Sequence, residues 1–399
     1  MSCRFSNNKP QTPLAMSTRP PSALSEIVSA PADRRAFLAR ASSLGLALPA
    51  IGALSSCSAP EQSQPASTAR SSDTDKQGSR SGAGLQNANS RVDTTHDVSG
   101  HTKSTAQGAA LDVPAAPFRR YDPALPPVTR ERTLRLNWST TELPIHITKD
   151  VVVAAWTFEN DIPGPIVHCR VGDTIEFTLT NRGKIPHSMD FHAAQINPKV
   201  AFRSVMPGES LSFTFRPRHA GAFMYHCGTA PVLMHIGSGM YGAIIVDPPS
   251  PLPAAKEFVL VQSEFYLAPV RGGGASALQE FDYNKMLATM PDYVVFNGRP
   301  AQYVAEPIRV KVGDRVRFYV VDAGPTHACN FHVVGEQFDT VYLGAPPATP
   351  LRGVQTFGVA PGGGMIFDLV CDVPGEFPFV NHGFGHGQKG SIGFLIVEA

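Results

Sequence analysis

Beyond the N-terminal third of the chain, apolar and polar side chains alternate along short stretches. In DTIEFTLTN (173–181), Ile175, Phe177 and Leu179 occupy alternate positions with polar residues between them, and DRVRFYVVD (314–322) repeats the pattern. A period of two residues is typical of a strand with one buried face. The 36 prolines and 35 glycines indicate many turns, so the sequence predicts an all-β fold of short strands.

The strand patterns belong to a tandem repeat. Three motifs recur: Val-Gly-Asp at 171–173 and 312–314, Phe-His at 191–192 and 331–332, and GAFMYHCG at 221–228 against GEFPFVNHGF at 375–384. The first two pairs of motifs are separated by almost the same interval along the chain, and the third pair by a slightly longer one. The repeat predicts two tandem Greek-key β-sandwich domains, which we assign to residues 126–250 and 251–399.

Residues 1–57 are predicted to be an export signal. The twin arginine Arg34-Arg35 precedes an apolar stretch too short to span a bilayer as a helix, which is typical of twin-arginine export. The segment ends in Leu-Ser-Ser-Cys, which resembles a bacterial lipobox and would make Cys57 the lipidated first residue. The alternative is a plain signal peptide with a chance cysteine. We expect a periplasmic or cell-surface protein that meets the membrane only through this lipid anchor.

Residues 58–125 are rich in Ser, Ala, Thr, Gln and Gly and contain few aromatic residues. Such a segment cannot bury enough apolar surface to offset its ordering entropy, so we predict a disordered linker. The whole chain is 42% hydrophobic and has a net charge of +1. A charge so close to zero gives no long-range field, and no nucleic-acid partner is expected.

A candidate metal motif lies near the end of the first repeat. Cys227 in YHCGTAPVLMH is followed by His235 and, at the end of IGSGM, by Met240; His187 lies upstream. Two histidines, a thiolate and a weak axial methionine form the ligand set of a blue-copper electron-transfer site. The alternative is a buried core thiol beside a loop histidine.

Strand parity predicts a second group of ligands. If HSMDFH is extended, His187 and His192 face opposite ways, and Asp190 shares the face of His192; the adjacent His226 and Cys227 also oppose one another. The two expected groups are His187, Cys227, His235 and Met240 on one face, and Asp190, His192 and His226 on the other. They would lie on the order of 10 Å apart across one strand layer, joined by the His226–Cys227 peptide.

The second group needs one more imidazole to hold copper by histidines alone. His382, placed by the motif at the repeat position of His226, is the expected donor. It belongs to the other domain, so the site must form between domains or between subunits. The alternative is that His192 and His226 only hydrogen-bond beside the first site.

Together these residues resemble the copper-containing nitrite reductases over roughly residues 130–399. The motifs are PHSMDFHAA, YHCGTAPVLMHIGSGMYGAIIVDP, EFVLVQSEFYL, DYVVFNG, FHVVGEQFDTVY and VPGEFPFVNH. The resemblance is strongest to the branch with a short loop between the ligand cysteine and histidine, which includes outer-membrane lipoproteins. It implies a homotrimer of two-cupredoxin subunits with two coppers per subunit: a type 1 copper in the first domain, and a type 2 copper held by His192 and His226 of one subunit and His382 of the next.

The same resemblance implies residue roles and partners. Asp190 and His332 match the aspartate and histidine that flank nitrite in the family, and Val334 matches an aliphatic residue against the substrate. The expected reaction takes nitrite, two protons and one electron to nitric oxide and water. The expected electron donor is a small redox protein, a cytochrome c or a cupredoxin.

Two other functions remain open from the sequence. A laccase-like multicopper oxidase builds its trinuclear cluster from eight histidines in His-x-His pairs, and this chain of 13 histidines has no His-x-His. A copper electron carrier without catalysis, anchored as a lipoprotein, would leave Asp190 and His332 without a role.

His327 and His386 are extra histidines without a counterpart in the family motifs. Cys169 and Cys371 are expected to be buried free thiols, while a Cys329–Cys371 bridge or a metal role for Cys329 is the alternative.

Overall fold

The structure is a computed structural model that describes residues 114–269, 278–348 and 350–399. The predicted signal segment 1–57, including Cys57, lies outside the described residues, as does most of the predicted linker 58–125. Export and lipid anchoring therefore stay predictions. No helix in the described part of the chain is long and apolar enough to cross a membrane.

Strands make up most of the regular secondary structure in the described part of the chain. In chain order the strands are β1 (Thr133–His146), β2 (Val152–Phe158), β3 (Val167–Arg170), β4 (Thr174–Asn181), β5 (Asp190–Phe191), β6 (Ser210–Phe215), β7 (Gly221–His226), β8 (Tyr241–Asp247), β9 (Lys256–Phe265), β10 (Leu267–Pro269), β11 (Gln279–Phe281), β12 (Tyr293–Phe296), β13 (Glu306–Lys311), β14 (Arg315–Gly324), β15 (Cys329–Val333), β16 (Thr340–Tyr342), β17 (Pro350–Leu351), β18 (Thr356–Val359), β19 (Gly364–Val370), β20 (Gly375–Asn381) and β21 (Ile392–Glu398). The helices are α1 (Pro198–Ala201), α2 (Val232–Gly237), α3 (Tyr283–Leu287), α4 (Gln302–Ala305) and α5 (Phe384–Gly387).

These strands form four sheets arranged as two sandwiches. Sheet A (β10-β11-β2-β1-β4-β6) faces sheet B (β3-β8-β7-β5), and sheet C (β12-β9-β14-β19-β16-β17) faces sheet D (β13-β21-β20-β15-β18). The predicted alternation explains the inner faces: Ile175, Phe177 and Leu179 are buried in the first core, and Val316 and Phe318 in the second. The all-β prediction with two cupredoxin-like sandwiches is confirmed.

Sheets B and C also pack on each other, which creates a third apolar layer between the sandwiches. The residues that meet there include Ala222, Met224 and Ile245 from sheet B and Val259, Val261, Tyr319 and Val321 from sheet C. Gly364 permits the closest approach, since a Cβ at this position would lie 2.2 Å from the carbonyl oxygen of Ala222. Sheet B is consequently buried on both faces.

Two segments depart from the predicted domain boundaries. Strands β10 and β11 lie beyond residue 250, yet β11 pairs with β2 of the first sandwich through Gln279 and Val153. Residues 114–125, which the composition assigns to the end of the disordered linker, instead lie along the fold: Tyr121 N–H donates to Gln302 Oε1 at 2.7 Å, and Val259 N–H donates to Pro123 O at 2.7 Å. The linker prediction extends too far at its C-terminal end.

A buried ion pair fixes β14 against β19. Arg317 donates to both carboxylate oxygens of Asp368, at 2.7 and 2.9 Å, and a third bond reaches Glu257 at 2.9 Å. Removing one partner of a buried pair leaves an uncompensated charge. The pair is therefore a point at which the second sandwich is sensitive to substitution.

We predict that Asp368→Ala lowers the free energy of unfolding by about 3–5 kcal/mol, measured by urea denaturation. Glu398→Ala removes the exposed partner of Arg309 and is the matched control, with an expected loss of about 0–1 kcal/mol. Equal losses in the two variants would show that the buried pair has no special weight.

Candidate metal centres

The thiolate group predicted from the sequence lies together inside the first sandwich. Metal-ligating atoms of His187, Cys227 and His235 all lie within 4.8 Å of one another, and all three residues are buried. Cys227 Sγ lies 3.2 Å from His235 Nδ1, and the two histidine Nδ1 atoms are 3.3 Å apart. Met240 is fully buried and its carbonyl oxygen accepts the Cys227 N–H at 3.1 Å.

The chain between Cys227 and Met240 contains the short helix α2. Pro231 stands at the N-cap of α2. The helix turns His235 inward, and Met240 N–H then donates to His235 O at 3.1 Å. This bond returns the chain into β8 with the methionine beside the cysteine.

The surroundings of Cys227 favour the thiolate. Burial alone would raise the pKa of the Cys227 thiol, but the hydrogen bonds to His187 and His235 outweigh it and hold the pKa well below its ordinary range. Ser188 N–H also donates to Sγ at 3.2 Å. A thiolate is the form of cysteine that binds metal ions, so the group fits a metal that accepts sulfur and imidazole.

Glu142 is a residue of this group that the sequence analysis missed. Its Oε1 accepts from His187 Nε2 at 2.8 Å, and the Glu142 side chain is only 3% exposed. This bond holds the His187 ring by its Nε2 atom, so Nδ1 is the ring nitrogen that faces Cys227 and is the one available to a metal ion. Gly183 makes room for it, because a Cβ there would lie 2.3 Å from Glu142 Oε1.

The second predicted group lies on the other face of sheet B. Ligating atoms of Asp190, His192 and His226 lie within 4.8 Å of one another. The Nδ1 atoms of the two histidines donate to carbonyl oxygens, His192 to Gly362 and His226 to Cys227, each at 2.9 Å. Burial, and then the charge of His226, lower the pKa of His192.

This arrangement leaves two imidazole nitrogens facing each other. The Nε2 atoms of His192 and His226 are 3.0 Å apart, and each ring has already used its Nδ1 proton. Two lone pairs at this distance require a proton or a cation between them. The donor set therefore fits a metal ion that prefers imidazole, with Asp190 Oδ2 at 3.9 Å from His226 Nε2.

His382 and His332 form a separate pair at the outer face of sheet D. Their ring centroids are 5.2 Å apart, and among the described residues neither belongs to the His192–His226 group. His382 is not at the hairpin position of His226: that position belongs to Val380, because His226 pairs with Tyr241 as Val380 pairs with Ile392. The shift of two residues keeps His382 on the same strand face.

Apolar side chains beside this pair are exposed. Val334, predicted to line the substrate pocket, is 38% exposed, and Phe384, whose ring lies against His382, is 60% exposed. Exposed apolar groups that cluster often mark an interaction surface.

In the part of the chain that the structure describes, Cys329 and Cys371 are free, buried thiols, so the alternative of a bridge between them is wrong.

Comparisons with known proteins agree with this geometry. A family model described as multicopper oxidase matches residues 140–251. The copper-containing nitrite reductase of Neisseria meningitidis is 38% identical over 287 residues, covering 70% of this chain and 74% of the relative. A solved copper nitrite reductase from Nitrosomonas europaea has a TM-score of 0.61 at 34% identity, covering 66% of this chain and 94% of that one. A solved multicopper oxidase has a TM-score of 0.58 at 25% identity, covering 68% and 94%.

Two cupredoxin sandwiches with a buried thiolate–imidazole group define a copper protein of the multicopper oxidase class. Within that class, the identity to relatives over most of their length decides the family. The chain belongs to the copper-containing nitrite reductases, and the family resemblance inferred from its motifs is confirmed.

Because Glu142 orients His187, we predict that Glu142→Ala weakens metal binding at the thiolate group by about 10- to 100-fold. Titration with cobalt(II) or copper(II) against a chelator, followed by thiolate-to-metal absorption, measures this affinity. Glu142→Gln, whose amide oxygen can still accept from His187, should lose less. Glu176→Ala, which removes an exposed partner of Arg135, is the control. An unchanged affinity in Glu142→Ala would contradict the orienting role.

Proposed function

We propose that this protein reduces nitrite to nitric oxide with one electron and two protons, passing the electron from a type 1 to a type 2 copper. The observation that supports this most directly is the adjacency of His226 and Cys227. Each belongs to one candidate metal group, and the groups lie on opposite faces of one sheet. A peptide-linked pair gives an electron a short covalent path between them.

The first group fits a type 1 copper in its donor chemistry. His187, Cys227, His235 and Met240 supply the two imidazoles, thiolate and thioether of such a site. Ligating atoms of His187, Cys227 and His235 are already gathered around one point inside the buried core, so little rearrangement is needed between oxidation states. An electron donor, a cytochrome c or a cupredoxin, would deliver its electron here.

The second group fits a type 2 copper completed by another subunit. His192 and His226 direct bare nitrogens to one point, and His382 lies elsewhere in the same chain. A neighbouring subunit that supplies His382 brings His332 with it, because the two rings lie together. The exposed Val334 and Phe384 would be covered by the same contact. A homotrimer closes such head-to-tail contacts.

Copper in the second site would supply a one-electron reductant and a Lewis acid for the bound anion. The protein residues position the substrate and supply protons. Asp190 lies two residues from His192 and beside His226, where its carboxyl group can hydrogen-bond an oxygen of nitrite. His332 donates its Nδ1 proton to Gln355 O at 2.6 Å, which leaves Nε2 to carry a proton toward the site.

A laccase-like oxidase is the second candidate, since multicopper oxidases share the fold. Outside the thiolate group, the histidines in motif regions are His192, His226, His327, His332, His382 and His386. Six imidazoles in one chain are fewer than the eight that a trinuclear cluster uses. His332 and His382 lie together, which suits a reductase in which the two residues serve one site.

Export by the twin-arginine route, with a lipid at Cys57, is also part of this proposal. It places the enzyme in the periplasm or at the cell surface, where small redox proteins are available as donors. Support comes from the twin arginine and the Leu-Ser-Ser-Cys sequence.

The intersubunit site predicts complementation between inactive subunits. Neither His192→Ala nor His382→Ala alone should form an active site. Co-expressed as mixed trimers, they combine an intact His192–His226 face with an intact His382 in about one quarter of the contacts, if subunits assemble at random. We expect about that fraction of wild-type nitrite reduction per copper-loaded trimer.

The control mixes His192→Ala with His226→Ala. Both substitutions damage the same side of the contact, so no combination restores the site and activity should stay at background. No recovery in the His192→Ala and His382→Ala mixture, with trimers verified by mass, would contradict an intersubunit site.

The activity itself is tested by anaerobic nitric oxide production from nitrite with a chemical electron donor, set beside oxygen uptake with a phenolic substrate. The wild type should produce nitric oxide and show little oxygen uptake. Asp190→Asn and His332→Ala should each lower turnover by about 100- to 10,000-fold, because each removes a positioned proton donor. Both variants should keep their copper.

The matched control for these two variants is His219→Ala, which removes an exposed imidazole from the first domain. It should retain wild-type turnover. Oxygen uptake without nitric oxide in the wild type would favour the oxidase instead. Near-full nitrite reduction by Asp190→Asn or by His332→Ala would contradict the assignment of the substituted residue as a proton donor.

A further inference from the structure

His327 and His386 form a third histidine pair, outside both groups described above. Their ring centroids are 4.5 Å apart, a separation close to the 5.2 Å between His187 and His235. His327 follows His187 at the same interval that separates the two Phe-His motifs of the tandem repeat. The pair therefore occupies the place in the second sandwich that corresponds to the thiolate group in the first.

The hairpin that carries His386 repeats the backbone hydrogen bonds of the hairpin that carries the thiolate. Cys227 N–H donates to Met240 O at 3.1 Å, and Asn381 N–H donates to Ser391 O at 3.1 Å. The strand registers agree, since Tyr225 pairs with Gly242 and Phe379 with Gly393. This places Asn381 at the position of Cys227 and Ser391 at that of Met240.

The loops between these positions correspond as well. Met240 N–H donates to His235 O at 3.1 Å, and Ser391 N–H donates to His386 O at 3.4 Å. The helix α2 carries His235 and the shorter helix α5 carries His386. His386 is thus the counterpart of His235.

The side chains meet in the same way. Asn381 Nδ2 lies 3.3 Å from His386 Nδ1, as Cys227 Sγ lies 3.2 Å from His235 Nδ1. An amide nitrogen can only donate, so the Nδ1 of His386 is its unprotonated nitrogen. Gln262 Oε1 and Ala328 O also face the two hydrogens of this amide, and the ring nitrogen that faces the amide is the atom that would bind a metal.

His327 is held in the corresponding tautomer. Its Nε2 donates to Thr289 O at 3.1 Å, as the Nε2 of His187 donates to Glu142. A carbonyl oxygen only accepts, so a neutral His327 ring has its lone pair on Nδ1. Both imidazoles of the pair expose the same nitrogen as their counterparts in the first sandwich.

The counterpart of the axial methionine also indicates a ligand position. Ser391 is fully buried, and within the described residues its Oγ has no hydrogen-bond partner. A buried hydroxyl without a partner costs about 1–3 kcal/mol. The oxygen stands where the first sandwich places its thioether residue.

We infer that the second domain retains the ligand arrangement of a type 1 copper site. In the natural sequence Asn381 occupies the thiolate position and prevents copper(II) from binding there. The Asn381 side chain is buried and its bonds explain the closure. Its Nδ2 donates to Gln262 Oε1 at 2.8 Å, and its Oδ1 accepts from Gly383 N–H at 3.0 Å. The NH₂ group that faces His386 repels a cation, and the amide offers no thiolate.

The site should bind copper(II) when Asn381 is replaced by cysteine, which supplies a thiolate. In a Cys227→Ser background, which removes the first thiolate, Asn381→Cys should restore an intense thiolate-to-copper absorption after loading with copper(II). The band should rise from background to an intensity of the order of one thiolate–copper centre per subunit. Adding His327→Ala or His386→Ala should abolish it, and Asn381→Ser in the same background is the colourless control.

Asn381→Asp provides a second route if the cysteine variant folds poorly, because it keeps the shape of the side chain and supplies a carboxylate ligand. Relative to the Cys227→Ser parent, it should bind one additional zinc(II) per subunit in equilibrium dialysis. The inference is overturned if neither variant gains a metal over the parent. Every comparison is with the same parent and uses no nitrite, so the result is independent of the proposed activity.

Discussion

Adjacent residues of a strand point to opposite faces. At the end of β7 this constraint places members of the two candidate metal groups on opposite faces of one sheet, although they are neighbours in the chain. Cys227 enters the core of the first sandwich with Tyr225, while His226 follows Met224 toward the layer between the sandwiches. The cysteine is enclosed and shielded from water, and the imidazole faces the second candidate metal group. One peptide bond separates them.

The second sandwich is required for this division to work. It covers the outer face of sheet B with sheet C, and its Gly362 carbonyl accepts the Nδ1 proton of His192. Without that acceptor His192 would not be fixed in the tautomer that directs Nε2 to His226. The interface between the sandwiches is therefore part of the candidate site, and the second domain also supplies the His332–His382 pair on its far side.

Local patterns predicted much of this arrangement. Period-two alternation predicted the strands, and counting positions along HSMDFH and around Cys227 assigned each ligand to a face, because face assignment depends only on the parity of neighbouring residues. Glu142 could not be found in this way: it lies far from His187 in the sequence and meets it only through the packing of β1. The equivalence of Asn381 with Cys227 was also hidden, since the motif aligned His382 with His226 and only the ladder to β21 reveals the shift.

The proposed reaction requires two distinct copper centres per subunit, one with a thiolate ligand and one without. Electron paramagnetic resonance of the copper-loaded protein, combined with its total copper content, measures this directly. We expect two copper ions per subunit in two spectroscopically different species of equal amount, only one of which follows the visible thiolate absorption during reduction. A single species, or four coppers per subunit, would contradict it.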